Sequence, residues 1–209
     1  MHQIFNNKDY NLQKFRRHKD ISEYYENLVN KDLKPLIIDC GGHIGLASKY
    51  FSITYPQAKI ILIEPEIENF SQAKKNNLDN NVEFLSSAIG SENAKCAVLD
   101  TGVGSWGYRI HKSNDGDINI ISVNQILKKF AKDNEIPFII KIDIEGFENE
   151  LFSKNTEWID LFSIIIIELH DWLLPKTSNS INFLSSISKK NRDFLYSGEN
   201  IFSIKNQIN

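Results

Sequence analysis

Pro35-Leu36-Ile37-Ile38-Asp39-Cys40-Gly41-Gly42-His43-Ile44-Gly45-Leu46 is the stretch on which the fold turns. Three consecutive apolar residues stop at an aspartate, a glycine turn follows, and a helical pattern runs from Leu46 toward Tyr55. The order is strand, glycine turn, helix. Outward from it the same alternation recurs. Lys59 to Ile63 is a β-rich run ending at Glu64-Pro65, and Ile67, Phe70, Ala73 and Leu78 continue as an amphipathic helix. Val82-Glu83-Phe84-Leu85 ends near Ser87-Ala88. Phe138-Ile139-Ile140-Lys141-Ile142-Asp143 and Ser163 to Glu168 are two further buried strands. Apolar strands without alternation, separated by helices, predict a mostly parallel α/β sheet covered on both faces, doubly wound.

Two departures from that rhythm stand out. Lys95 to Ile121 holds two short β-like runs around the turn-rich Asp100 to Tyr108, which reads as a hairpin inserted over one edge of the sheet. Phe194 to Ile204 reads as a closing hairpin that adds an antiparallel edge. Before the main fold, Asp20 followed by Ile21, Tyr24, Tyr25 and Leu28 marks an amphipathic helix. Residues 1–34 are thus expected to form a helical cover or lid, with 35–209 as the main domain. A length of 209 residues agrees with one full-sized domain and a small appendage.

Composition excludes several classes. Hydrophobic residues at 41% and charged residues at 24% fit a globular chain rather than a disordered or fibrous one. A net charge of −3, with 24 Lys+Arg against 27 Asp+Glu, lacks the positive excess of a phosphate-backbone binder, so no nucleic-acid partner is expected. Cys40 and Cys96 give neither a disulfide framework nor zinc-ligand spacing. The longest apolar run, Ile164 to Ile167, is too short for a membrane span, and the N-terminus shows no export signal, so a cytoplasmic protein is expected.

In doubly wound sheets ligands bind beyond the carboxyl ends of the strands. Here those ends carry Asp39-x-Gly41-Gly42-x-x-Gly45, Glu64-Pro65, Ser87-Ala88, Asp143-x-Glu145-Gly146 and Glu168-x-His170-Asp171. The first loop lacks the leading glycine of the dinucleotide pattern G-x-G-x-x-G. Asp39 would also stand against a pyrophosphate. Both features weigh against a nicotinamide-dependent oxidoreductase. Asp39 suits a cationic ligand instead, and Glu64, nineteen positions after Gly45, suits a ribose diol. Together they fit S-adenosylmethionine, although an aspartate there can also serve only to cap a helix.

Three segments carry a family likeness: Ile37 to Gly45, Ile140-Lys141-Ile142-Asp143-Ile144-Glu145-Gly146-Phe147-Glu148, and Ile166-Ile167-Glu168-Leu169-His170-Asp171. On these the chain resembles the FkbM family of S-adenosylmethionine-dependent class I methyltransferases, from about Pro35 to the last strand. The resemblance implies a Rossmann-like seven-stranded sheet of order 3-2-1-4-5-7-6 with the last strand antiparallel. It also implies methylation of a hydroxyl on a sugar, glycoconjugate precursor, polyketide or related metabolite. Carried over, Asp39, Gly41 and Gly45 line the methionine and ribose part, with Gly42 and His43 in the same loop. Glu64 holds the ribose diol, Ser87-Ala88 flanks the adenine, and Asp143 lies beside the methyl group. Gly42-His43 and Trp106 depart from the family's commoner residues.

Methyl transfer to a hydroxyl needs alignment and removal of a proton. His170 is the first candidate base, oriented by Glu168 or Asp171, and Asp143 is its rival. Another reading makes Asp143, Glu145, Glu168 and His170 a divalent cation site, unless Glu145 caps the following helix. Trp106, Tyr108 and Asp171 are candidate acceptor contacts. Glu148 is expected to be solvated or paired on its helix, and Lys14, Arg16 and Arg17 to form a solvated basic cluster.

Overall fold

Pro35 to Cys40 are all buried, so the decisive strand sits in the centre of a sheet with both faces covered. The structure, a computed structural model, describes residues 4–5, 9–76, 80–99, 109–113 and 115–208. In chain order it runs α1 (His18–Asn30), β1 (Lys34–Cys40), α2 (Leu46–Thr54), β2 (Lys59–Ile63), α3 (Ile67–Asn76), β3 (Val82–Leu85), β4 (Ala88–Gly90), β5 (Ala94–Leu99), β6 (Arg109–Lys112) and β7 (Ile118–Ser122). There follow α4 (Val123–Phe130), β8 (Glu135–Ile142), α5 (Glu148–Leu151), β9 (Ile164–Glu168), α6 (Ile181–Ile187), β10 (Arg192–Ser197) and β11 (Asn200–Lys205).

The main sheet has the order β3-β2-β1-β8-β9-β11-β10. β1, β2, β3, β8 and β9 are parallel, while β11 pairs antiparallel with both β9 and β10. Taken alone and counted along the chain, these seven strands run 3-2-1-4-5-7-6. The chain as a whole departs from a single seven-stranded sheet, because four more strands form a second sheet in the order β4-β7-β5-β6. What reads as an inserted hairpin is β5 paired with β6, extended by β7 and by a parallel β4–β7 ladder that joins Ala88 to Ile120. No local pattern announces a pairing that distant in sequence.

Side-chain alternation divides the core into two layers. Leu36, Ile38, Cys40, Ile140, Ile142, Ile165 and Ile167 pack on one face with Ile126, Leu151 and Phe183 from α4, α5 and α6. Ile37, Ile60, Ile139, Ile164 and Ile166 pack on the other with Ile21, Ala47 and Phe51 from α1 and α2. Tyr24 and Tyr25 of α1 meet the Phe138 ring at centroid separations of 6.2 and 5.8 Å. α1 therefore covers a sheet face, while Asp9 and Tyr10, which precede it, line the strand-end cavity. Arg17 is not a solvated member of a basic cluster, since its guanidinium binds Asp20, Asp193 of β10 and the Lys205 carbonyl. Lys14 likewise bonds the Asp9 carbonyl and the Ser197 hydroxyl. Among the described residues no helix is long and apolar enough to cross a membrane.

Candidate active site

A cavity of about 640 Å³ opens along the carboxyl ends of the parallel strands, within the usual range of small-molecule sites. The glycine loop after β1 forms one wall. Gly41 adopts φ 74°, and a Cβ there would lie 1.8 Å from the Asp143 carbonyl oxygen. The residue is glycine because β1 and β8 converge at this point. Gly45 at φ 82° turns the chain into α2.

Glu64 enters the cavity from the end of β2, only 6% exposed. Its two carboxylate oxygens accept the backbone N–H groups of His43 at 2.8 Å and Glu66 at 3.0 Å. Burial outweighs those hydrogen bonds and the Lys141 charge, and lifts the carboxyl to about 7. Gly41, Gly42, His43, Ser87 and Ala88 also line the cavity, whereas Gly45 does not.

Asp39 does not line the cavity, and this corrects the sequence expectation. It is wholly buried beneath the loop, where its Oδ2 accepts the Ser48 hydroxyl at 2.7 Å and its Oδ1 lies 3.2 Å from Lys141 Nζ. Strand alternation is the reason. Asp39 shares the α2 side of β1 with Ile37, and its register partner on β8 is Lys141. That lysine, unassigned from sequence, also donates to the Gly41 carbonyl at 2.8 Å and lies 3.5 Å from Asp143 Oδ2. Its pKa stands well above the ordinary value: burial opposes the charge, and the Asp39 and Asp143 carboxylates more than compensate.

Opposite Glu64, the ends of β8 and β9 bring Asp143, Glu145, Glu168 and His170 together. The imidazole is 1% exposed. Its Nδ1 lies 2.8 Å from Glu148 Oε1, while Nε2 lies 3.7 Å from Asp143 Oδ1, 3.6 Å from Glu145 Oε2 and 3.6 Å from Glu168 Oε1. Burial alone would lower the His170 pKa, but the Glu148 hydrogen bond and the surrounding carboxylates carry it up to about 9. An imidazole that is already protonated at neutral pH cannot take another proton, which argues against the free general base read from the sequence. Burial, reinforced by the charge of Asp143, lifts Glu145 and Glu168 to about 7.

Glu148 overturns its expectation too. Wholly buried, it receives His170 on one oxygen and the Asn179 amide on the other. The signal was present, since Glu148 shares a helix face with Leu151 and Phe152. Glu145 does not cap α5; it holds a left-handed φ of 53° and points to His170. Asp171 lies outside the cavity and accepts the Ser180 N–H. Trp172, not singled out from sequence, lines the mouth at 63% exposure with its ring 6.2 Å from that of His170. Trp106 and Tyr108 fall outside the described residues.

Acids dominate the lining: Asp9, Glu64, Asp143, Glu145, Glu168 and Glu199 surround one lysine that is already paired. This donor set fits a ligand with a diol and a cationic centre and opposes a phosphate.

The chain matches the family described as the methyltransferase FkbM domain over residues 39–196. It is similar to Methyltransferase 1 of Beauveria bassiana (strain ARSEF 2860), 25% identical over 162 residues that make up 65% of this chain and 64% of that protein. The match thus spans just under two thirds of that relative's length. Among solved structures it is similar to the plantazolicin methyltransferase BpumL in complex with SAH (11% identity, 98% of this chain, 90% of that one, TM-score 0.44). It is also similar to the bifunctional kinase-methyltransferase WbdD (11% identity, 91% of this chain, 39% of that one, TM-score 0.47). With the family match covering most of its length and including the glycine loop, Glu64 and the Asp143 and His170 strand ends, the chain belongs to the FkbM family of S-adenosylmethionine-dependent methyltransferases.

Proposed function

We propose that this protein transfers a methyl group from S-adenosylmethionine to a hydroxyl of a small polar acceptor, a sugar or glycoconjugate precursor. The observation that carries the reading is the cavity's division into two acidic stations, buried Glu64 on one side and the Asp143, Glu145 and Glu168 group on the other. Glu64 accepts from the ribose hydroxyls, and the His43 and Glu66 amides hold its carboxylate in place. When bound, the cofactor supplies a methyl carbon made electrophilic by a sulfonium.

Asp143 of the second station has its amide anchored to the Cys40 carbonyl at 3.1 Å. The Asp143, Glu168 and His170 side chains would hold the acceptor hydroxyl, and the Glu145 carboxylate would take its proton as the methyl group supplied by the cofactor is transferred. Trp172, exposed at the mouth beside His170, offers an apolar face to a sugar ring. The acidic lining favours a neutral polyol over a phosphorylated acceptor.

The test is to incubate the protein with S-adenosylmethionine and a panel of free sugars, glycosides, nucleotide sugars and amines. S-adenosylhomocysteine release and product mass are then followed. O-methyl products confined to neutral polyols support the reading, whereas transfer only to amines contradicts it.

A further inference from the structure

His170 is held from behind. Glu148 Oε1 fixes Nδ1 at 2.8 Å, the Asn179 amide fixes the other oxygen of Glu148, and the Gly146 N–H adds a contact at 3.3 Å. The ring therefore presents Nε2 to the cavity, where no hydrogen bond to it is formed among the described residues. Asp143 Oδ1, Glu145 Oε2 and Glu168 Oε1 surround it at 3.6–3.7 Å, beyond hydrogen-bond length. Two ligands bound at about 2.1 Å to one cation stand roughly 3.0 Å apart at a right angle and about 4.2 Å apart when opposed. The observed spacings fall between these limits. One ligand atom each from Asp143, Glu168 and His170 all lie within 4.8 Å of one another.

We propose that Asp143, Glu168 and His170 bind one divalent cation, which takes the place of the proton on Nε2 and releases it to solvent, with Glu148 as the positioning residue that orients the imidazole. A buried carboxylate on the far nitrogen is the usual companion of a metal-ligating histidine. Lys141 lies on the Oδ2 side of Asp143 and leaves Oδ1 to the cation. Two carboxylate oxygens and one imidazole nitrogen suit Mn²⁺ or a neighbouring first-row ion, with Mg²⁺ as a weaker competitor. Coordination positions on the cavity side remain for an acceptor's oxygens, which would align the hydroxyl and ease loss of its proton. That consequence rests on the proposed methyl transfer; the cation site does not.

The experiment uses the whole chain, treated with chelator and desalted, and titrated with Mn²⁺ while the free hexaaquo signal is followed by electron paramagnetic resonance. One equivalent is taken up by the wild type, and Asp143→Asn and Glu168→Gln each weaken uptake tenfold or more. Glu148→Gln weakens it by about 10- to 100-fold without removing a ligand. Circular dichroism confirms that the variants are folded, and a Mn²⁺-dependent rise in melting temperature is seen in the wild type but not in Asp143→Asn. Absence of uptake at millimolar Mn²⁺, or uptake unchanged in both carboxylate variants, overturns the site. Calorimetry with S-adenosylmethionine on the same protein separates the two readings. Mn²⁺ uptake without cofactor binding keeps the cation site and sinks the methyl transfer, and cofactor binding without Mn²⁺ uptake does the reverse.

Discussion

His170 Nδ1 lies 2.8 Å from Glu148 Oε1, and both side chains are closed off from solvent. The pair joins the end of β9 to α5 and couples proton binding to stability. The folded-state pKa of His170, about 9, exceeds the ordinary 6.5, so the stabilisation is fully present below pH 6.5 and lost as pH rises through about 9. One pKa unit is about 1.4 kcal/mol, which puts the effect on the order of 3 kcal/mol. In chelator-treated protein the melting temperature of the wild type should therefore fall between pH 6.5 and 9, while Glu148→Gln follows a flatter profile. Parallel profiles would show that the pair is not coupled in this way.

Asp39 and Lys141 are register partners buried in the sheet. Lys141→Met leaves a buried carboxylate with only Ser48 for a partner, and a loss of about 3–5 kcal/mol is expected from denaturant midpoints. Combining it with Asp39→Asn should recover a substantial part, because the uncompensated charge is then gone. Equal losses in the single and double variants would contradict the pairing.

Gly41→Ala meets both a left-handed backbone and the Asp143 carbonyl oxygen at 1.8 Å. The loop or the end of β8 must move, at a cost of roughly 2 kcal/mol or more. Thermal melting checks the stability term. Calorimetry on the folded variant should show weakened S-adenosylmethionine binding, because the displaced segment carries both Asp143 and the His43 amide that holds Glu64.

Trp172→Ala removes an exposed side chain and should change stability by no more than about 0.5 kcal/mol. With a sugar acceptor the expected result is a raised KM at nearly constant kcat, read from initial rates. An unchanged KM would remove Trp172 from the acceptor site.

The parallel strands and their loops were legible because Leu36 to Ile38, Ile60 to Ile63, Phe138 to Ile140 and Ile164 to Ile167 are apolar runs too short for helices, each closed by polar residues. The row of site residues followed, since topology alone places them at one edge. The roles of Asp39, Lys141 and Glu148 did not follow. A charge in an apolar strand reads equally as a ligand or as half of an internal pair, and only the β1–β8 register shows that Asp39 faces Lys141. Glu148 was masked by its polarity although its helix face was apolar. The second sheet was hidden because the β4–β7 ladder joins segments far apart in the chain.

Glu64 offers the most direct test of the central claim. Calorimetric titration of the wild type with S-adenosylmethionine at pH 8 should show saturable binding, and Glu64→Gln should weaken it about tenfold or more. Because burial holds the Glu64 carboxyl near 7, the wild-type affinity should also fall as pH is lowered through 7, where protonation removes the acceptor the ribose hydroxyls need. The variant should lose that dependence. Absence of S-adenosylmethionine binding, or saturable binding of NADH in its place, would contradict the account.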